Sequence, residues 1–286
     1  MTPGTRRRRE VPSESIRQRG WPRTSPVRRS GSVRSIAMPL LKSEQQGSGP
    51  KLVWLHGFTQ TRQSAHLFRS ILAGTHQVDA FDLPGHGESS EVDASLEETA
   101  DFISSCLSDE PVVLGGYSLG ARVALHVALR HPEQVKALIL LGASRGIEDV
   151  ALRAERMSRD EKLAERIEII GTDTFLDEWL AQPMFSSLPD DPLERAARSR
   201  DPGGLARSQR RSGTGTQTFL GPHLASLTMP VLCMAGVLDA KFVAEAHAIA
   251  AGVTHGVART IPGAQHAAHL EQPGACAEVI EEFLVA

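Results

Sequence analysis

The feature that most constrains this chain is an apolar run that ends in a Gly-x-Ser-x-Gly pentapeptide. Residues 112–115 predict a buried strand, and Gly116-Tyr117-Ser118-Leu119-Gly120 follows at once. Leu119–Arg130 is predicted as a helix that stops at His131-Pro132. The two glycines allow a turn that is too tight for side chains, so the serine stands exposed above the sheet. The sequence therefore predicts a strand–turn–helix unit that presents Ser118 as a nucleophile.

Five further short apolar runs alternate with helical or loop segments, which favours a mostly parallel, doubly wound α/β sheet. We predict strands at residues 51–55, 78–81, 137–141, 230–235 and 258–261. The polar residues 43–50 are predicted to form a turn after a short first strand.

The strand pattern breaks at about residues 147–226, where charged helical stretches predict an inserted helical lid. Within it, residues 195–211 contain six arginines and Asp201 as the one acid, which is either a local positive patch or a solvated helix face.

Charge is distributed unevenly along the 286 residues, whose formal net charge is −3. Residues 1–37 carry ten arginines against Glu10 and Glu14, a net of +8, so residues 38–286 carry −11. This basic leader lacks the apolar segment of a secretory signal. It is interpreted as a disordered tail, an extension upstream of a start at Met38, an organellar transit peptide or a nucleic-acid-binding arm. Residues 38–286 are predicted to be one domain.

Other compositional features exclude several classes of protein. No apolar run approaches the ~20 residues that a membrane-spanning helix needs. The three cysteines are widely spaced, which argues against a disulfide framework or a metal site and suits a reducing compartment. We expect a cytoplasmic protein, or an organellar one if residues 1–37 are a transit peptide. We expect no metal, cofactor, nucleic acid or membrane partner.

A serine nucleophile needs a histidine within hydrogen-bond reach, and that histidine needs an acid to orient it. When the serine lies on such a turn, the partners follow in the order Asp or Glu, then His, after later strands. Asp239 follows the predicted strand 230–235, and His266 follows the predicted strand 258–261. His269 is the serious rival of His266. The backbone N–H groups of Leu119 and of Phe58, in the loop after strand 51–55, are the candidate oxyanion-hole donors.

These segments together resemble the α/β-hydrolase superfamily from about residue 50 to the end. Within it, the chain resembles the 2-succinyl-6-hydroxy-2,4-cyclohexadiene-1-carboxylate synthases, lyases of menaquinone biosynthesis. The motifs that carry the likeness are Leu55-His56-Gly57-Phe58, Asp82-Leu83-Pro84-Gly85-His86-Gly87, Gly116-Tyr117-Ser118-Leu119-Gly120-Ala121-Arg122, Arg153-Ala154-Glu155-Arg156, Trp179-Leu180-Ala181-Gln182-Pro183-Met184-Phe185, Gly213-Thr214-Gly215-Thr216-Gln217, Asp239-Ala240-Lys241-Phe242 and His266-Ala267-Ala268-His269-Leu270-Glu271-Gln272-Pro273.

The resemblance implies a lyase that eliminates pyruvate from a polycarboxylate, with Ser118, His266 and Asp239 acting as a base. It implies that Arg122, Arg156 and Arg198 bind carboxylates and that Tyr117 and Trp179 line the site. An acidic body needs concentrated local arginine to bind a polyanion, which agrees with that role. A monomer or weak homo-oligomer is expected.

Two alternatives remain open at this point: a serine hydrolase that forms an acyl-serine, and a non-catalytic receptor for a small ligand on the same fold.

Two positions depart from the family pattern. Ala121 replaces a second glycine after Ser-x-Gly, which is a mild change in a helix. Gln265 stands where a glycine usually precedes the catalytic histidine, and glutamine would be strained there if the position requires a positive φ.

Overall fold

A single seven-stranded sheet forms the centre of the computed structural model, which describes residues 41–286. The spatial order is β1-β3-β2-β4-β5-β6-β7, and every neighbouring pair in it is parallel except β1 with β3. The strands are β1 (Ser43–Gly47), β2 (Lys51–Leu55), β3 (Gln77–Phe81), β4 (Val112–Tyr117), β5 (Val135–Leu141), β6 (Val231–Gly236) and β7 (Gly256–Ile261).

Helices cover both faces of this sheet. They are α1 (His66–Leu72), α2 (Leu96–Cys106), α3 (Leu119–Arg130), α4 (Val150–Leu180), α5 (Pro192–Ala196), α6 (Pro202–Ser212), α7 (Ala240–Gly252), α8 (Ala268–Glu271) and α9 (Pro273–Val285). Side chains alternate between faces along a strand, so Val53 and Leu55 enter one core and Leu52 and Trp54 enter the other. The first core packs against α2, α3 and α7, and the second against α1, α8 and α9.

The six predicted apolar strands and the doubly wound α/β class are confirmed, since every residue of these runs lies in a strand except Pro230, which directly precedes β6. The predicted turn at residues 43–50 is wrong, because Ser43–Gly47 is an edge strand paired antiparallel with β3. An edge strand has one neighbour and a solvated outer side, so it can consist of polar residues and give no hydrophobic signal. The predicted basic leader, residues 1–37, lies outside the described residues.

Three helices, α4, α5 and α6, lie in the chain between β5 and β6. Of these, α4 and α6 form a small core of their own from Ile167, Phe175 and Leu205, against which Phe58 and Trp179 also pack. Because Phe58 belongs to the loop after β2, this helical insertion lies against the carboxyl edge of the sheet. Within residues 41–286, no helix is long and apolar enough to cross a membrane.

Candidate active site

The turn between β4 and α3 places Ser118 at the carboxyl edge of the sheet. Ser118 has φ 51° and ψ −104°, a conformation that L-residues rarely adopt. A Cβ on Gly116 would lie 2.5 Å from the Gly120 backbone, and a Cβ on Gly120 would lie 2.1 Å from the Leu55 carbonyl oxygen. Both flanking positions therefore require glycine for the turn to close.

Three side chains from separate loops meet beside this turn. His266 Nε2 lies 3.2 Å from Ser118 Oγ, and His266 Nδ1 lies 2.9 Å from Asp239 Oδ2. The other Asp239 oxygen accepts the Phe242 N–H at 3.4 Å and so caps α7. A carboxylate held in this way favours the tautomer of His266 with its proton on Nδ1 and a free lone pair facing the serine.

The rival histidine lies elsewhere. His269 is fully buried, its ring centroid is 4.3 Å from that of Tyr117, and its Nε2 lies 3.5 Å from Gln60 Nε2. Burial lowers the pKa of His269 to about 3, so it is neutral at physiological pH. The structure thus brings His266, and not His269, to Ser118.

The glutamine before His266 is not strained, because Gln265 is not among the non-glycine residues of 41–286 with a positive φ. Its backbone N–H donates to Glu271 Oε2 at 2.6 Å, and the Ala267 N–H donates to Glu271 Oε1 at 3.0 Å. The carboxylate of Glu271 therefore holds both sides of the His266 loop. Nothing in the sequence indicated this role for Glu271.

Two backbone N–H groups at this edge are candidates for binding a developing oxyanion. No turn, loop or cap hydrogen bond between backbone groups in residues 41–286 uses the N–H of Phe58 or of Leu119. The Leu119 N–H is the first of α3, where the helix dipole favours negative charge.

A cavity of about 780 Å³ opens over these groups. Of the residues predicted to contact substrate, Tyr117, Arg122, Arg156 and Trp179 line it together with Ser118 and His266. Tyr117 is almost fully buried, and its ring centroid lies 5.2 Å from that of His266. Trp179 packs edge-on against Phe58, with ring centroids 5.3 Å apart.

The two predicted arginines that line the cavity, Arg122 and Arg156, are held differently. Arg122 is 8% exposed, and its Nη1 makes long contacts of 3.4 Å with two neutral acceptors, the Gly213 carbonyl oxygen and Gln217 Oε1. Burial, reinforced by the charge of Arg156, lowers the pKa of Arg122 to about 10, which leaves it charged at neutral pH. Arg156 Nε donates to Asp160 Oδ1 at 2.7 Å. The buried Arg122 cation thus has no carboxylate partner among the described residues.

Arg198 is not among the residues that line this cavity. It is 6% exposed, and its Nη1 donates to Thr59 Oγ1 at 2.6 Å. It lines a separate, more open depression with Thr61, Arg62 and Ser199.

Three cations that line the cavity were missed by the sequence analysis, namely Arg159, Arg166 and Lys241. Arg166 forms an ion pair with Glu178, which also lines the cavity. Lys241 Nζ lies 4.9 Å from the centroid of the Phe242 ring, which in turn lies 4.4 Å from that of His266. Partial burial at the cavity wall and the nearby charge of Arg156 lower the pKa of Lys241. Neither Lys241 nor Arg159 forms an ion pair with any described residue. The sequence did offer a signal for both residues, because Lys241 lies two residues after Asp239 and Arg159 lies three residues after Arg156.

Comparison with known proteins identifies relatives of this chain in both sequence and fold. Residues 52–279 match the profile of the alpha/beta hydrolase family. The chain is 32% identical over 251 residues to 2-succinyl-6-hydroxy-2,4-cyclohexadiene-1-carboxylate synthase of Serratia proteamaculans, which covers 84% of this chain and 96% of the relative. It is 33% identical over 263 residues to the synthase of Yersinia pseudotuberculosis, and the match covers 88% of this chain and 94% of the relative.

Solved structures agree with these matches. MenH from S. aureus superposes with a TM-score of 0.79 at 28% identity, covering 85% of this chain and 97% of that chain. A malate-bound thermophilic esterase from Thermogutta terrifontis superposes with a TM-score of 0.74 at 25% identity, covering 86% of this chain and 93% of that chain. The chain belongs to the alpha/beta hydrolase family and, within it, to the 2-succinyl-6-hydroxy-2,4-cyclohexadiene-1-carboxylate synthases.

Proposed function

We propose that this protein is a lyase that eliminates pyruvate from 2-succinyl-5-enolpyruvyl-6-hydroxy-3-cyclohexene-1-carboxylate to give 2-succinyl-6-hydroxy-2,4-cyclohexadiene-1-carboxylate. The observation that carries the proposal is the position of Ser118 and His266 in a cavity that also contains the buried, unpaired Arg122. Membership of the synthase family supports it.

Ser118 and His266 supply the base. His266 Nε2 accepts the Ser118 hydroxyl proton as Ser118 Oγ removes the proton from the ring carbon that bears the succinyl group. The electron pair moves onto the succinyl carbonyl oxygen, where the N–H groups of Phe58 and Leu119 stabilise the enolate. Asp239 stabilises the His266 cation that forms.

Elimination completes the reaction without an acyl-enzyme. When the carbonyl re-forms, a double bond forms between ring carbons 2 and 3, and the existing 3,4 double bond moves to carbons 4 and 5. The bond between carbon 5 and the enolpyruvyl oxygen breaks, its electron pair stays on the oxygen, and pyruvate leaves as its enolate. The enolate takes up the proton held by His266 and becomes pyruvate, which leaves His266 neutral and Ser118 with the proton taken from the ring.

The charges of the cavity match a substrate with three carboxylates. Arg122 and Arg156 can pair with carboxylates through two parallel hydrogen bonds, which lysine cannot do. Arg159 and Lys241 add unpaired positive charge to the same cavity. Because residues 38–286 carry a net charge of −11, this local cluster opposes the long-range repulsion of an anionic substrate.

The domain bounds, the helical lid and the cellular location of the protein are also part of the proposal. We take residues 38–286 as the catalytic domain, with residues 147–226 as its helical lid, and we take the protein to be cytoplasmic. If residues 1–37 are dispensable, a variant that begins at Met38 retains the kcat and KM of the full chain. A folded but inactive truncation would contradict this domain boundary.

The direct test is pyruvate release from the enolpyruvyl substrate, coupled to lactate dehydrogenase, beside hydrolysis of a panel of p-nitrophenyl esters. We expect pyruvate formation in stoichiometric amounts with the diene and slow ester turnover. Rapid ester hydrolysis without pyruvate would reject the proposal.

The second candidate is a serine hydrolase that acts through an acyl-serine, supported by the same Ser118 geometry and by the superposition on the thermophilic esterase. Intact-protein mass spectrometry after rapid quenching separates the two, since the hydrolase accumulates an acyl adduct on Ser118 and the lyase does not.

A further inference from the structure

The loop that follows Phe58 holds two residues in an unusual backbone conformation. Thr59 has φ 69° and Ala65 has φ 57°, and with Ser118 they are the non-glycine residues of the described chain with a positive φ. A β-branched residue such as Thr59 is especially disfavoured there. Such conformations persist where surrounding contacts hold them in place.

One segment of the helical insertion, residues 194–199, supplies those contacts. Glu194 Oε2 accepts the Ala65 N–H at 2.7 Å, and the Ser199 N–H donates to the Thr59 carbonyl oxygen at 2.8 Å. Between them, Thr61 Oγ1 donates to the Ala197 carbonyl oxygen at 2.6 Å. Both strained residues are therefore hydrogen-bonded to the same segment.

Arg198 makes the contact closest to the oxyanion loop. Its Nη1 donates to Thr59 Oγ1 at 2.6 Å, so Thr59 is held through its hydroxyl and its carbonyl by two consecutive residues. The Arg198 side chain is 6% exposed, and its Nε has no hydrogen-bond partner among residues 41–286. Glu194, Tyr117 and Arg195 are the groups that act electrostatically on its charge, and Arg198 does not line the cavity of Ser118.

We propose that Arg198 is a positioning residue that holds Thr59, and through it the Phe58 N–H, in the geometry that binds the oxyanion. The inference rests on the proposed function only in that the Phe58 N–H stabilises an enolate or another oxyanion. It differs from the carboxylate-binding role that the family resemblance implies for Arg198.

This arrangement links the helical insertion to the chemistry. Phe58 and Thr59 lie inside one turn, which the Gln60 N–H closes by donating to the Gly57 carbonyl oxygen at 3.1 Å. A displacement of Thr59 therefore distorts this turn and shifts the Phe58 N–H with it. The contacts that residues 194–199 make with the loop therefore keep the oxyanion donor aligned, and removal of these contacts would let the strained loop relax.

The test is a double-mutant cycle with Arg198→Met, Thr59→Val and the double variant in the full chain. The matched control is Arg195→Met, which removes an exposed arginine of the same segment that pairs with Asp177. Each variant is assayed for kcat and KM with the enolpyruvyl substrate, and for hydrolysis of the neutral ester p-nitrophenyl acetate. Urea denaturation midpoints are measured in parallel.

A positioning role predicts that each single variant lowers kcat about 10- to 100-fold. This is less than the roughly 10²- to 10³-fold cost of losing an oxyanion donor, because the donor is misplaced and not removed. KM changes by less than about twofold, the neutral ester loses a similar factor, and the double variant is no worse than the poorer single variant. The control behaves as wild type. If Arg198→Met does not fold, Thr59→Val alone shows the same loss of kcat on both substrates.

A raised KM with unchanged kcat, or full activity of Arg198→Met on the neutral ester, would overturn the inference in favour of a carboxylate ligand. Losses that multiply in the double variant would also overturn it. If the wild type releases no pyruvate, the proposed function fails. The hydrolysis of p-nitrophenyl acetate and the urea denaturation midpoints of the variants then still decide this inference. If the urea-midpoint shift of the double variant differs from the sum of the two single shifts, the contact between Arg198 and Thr59 is supported. If it equals that sum, the contact is contradicted.

Discussion

Ser118 combines a strained backbone with a hydrogen-bonded side chain. Its conformation of φ 51° and ψ −104° directs Oγ away from the strand and toward His266 Nε2, 3.2 Å away. Strain of this kind costs roughly 1–3 kcal/mol and persists when the surroundings impose it. Here the close contacts of Gly116 and Gly120 impose it.

Ser118→Ala removes the one oxygen that His266 can activate. We expect kcat for pyruvate release to fall by about 10³-fold or more, because loss of one member disables the whole triad. The urea midpoint should stay close to that of the wild type. Turnover within about tenfold of wild type would exclude Ser118 as the base.

Arg122→Ala removes a buried cation from the cavity. We predict that kcat/KM for the anionic substrate falls by about 10- to 100-fold, because a hydrogen bond to a charged group contributes roughly 1.5–3 kcal/mol. Hydrolysis of a neutral p-nitrophenyl ester should be nearly unchanged. Arg130→Ala, on the same helix but paired with Asp101, is the control. An equal loss on both substrates would argue against carboxylate binding.

At the scale of elements, α4 is two helical segments joined at Gly171. This glycine has φ 74° and ψ 171°, a conformation that is almost exclusive to glycine. No atom outside its immediate neighbours lies within 4 Å of a Cβ built there, so the backbone angle alone requires glycine. The break lets the first segment carry Arg156 and the second carry Trp179 to the same cavity.

Gly171→Ala should therefore lower the free energy of unfolding by roughly 1–3 kcal/mol without a steric clash. Gly274→Ala is the matched control, since Gly274 also has nothing within 4 Å but lies in α9 with ordinary backbone angles. It should raise the free energy of unfolding by about 0.4–1 kcal/mol. Urea denaturation measures both, and equal effects would refute a conformational role for Gly171.

At the scale of the molecule, several histidines are buried in the neutral form. Burial lowers the pKa of His56 to about 4 and those of His86 and His269 to about 3. In the unfolded chain each has a pKa near 6.5. Between these values the unfolded state binds more protons than the folded state, so stability decreases as the pH falls.

We accordingly predict that the free energy of unfolding falls between pH 6.5 and 4.5, each buried histidine contributing at most about 1.4 kcal/mol per pH unit. His269→Gln should reduce this slope, while substitution of the exposed His247 by Gln serves as the control. Denaturation curves across the range measure it. A stability that is constant over this range would contradict the buried neutral state.

The predictable part of the fold was the part set by local patterns. The six apolar strands and the Gly-x-Ser-x-Gly turn have short-range signals, and their order predicted the α/β class. β1 was missed because its polar residues are held in the sheet by backbone hydrogen bonds to β3. Such pairing does not require apolar side chains, so the hydrophobic pattern of the sequence does not predict it. Arg198 carried no sequence signal that separates a ligand of substrate from a partner of Thr59.

The sequence by itself determined the class of fold and the candidates for nucleophile, acid and histidine, because turns and buried strands require particular residue types at short spacing. The tertiary structure decided which histidine lies beside Ser118, which arginines share its cavity and what Glu271 and residues 194–199 hold in place. Those contacts join residues that are far apart in the chain, and only packing brings them together.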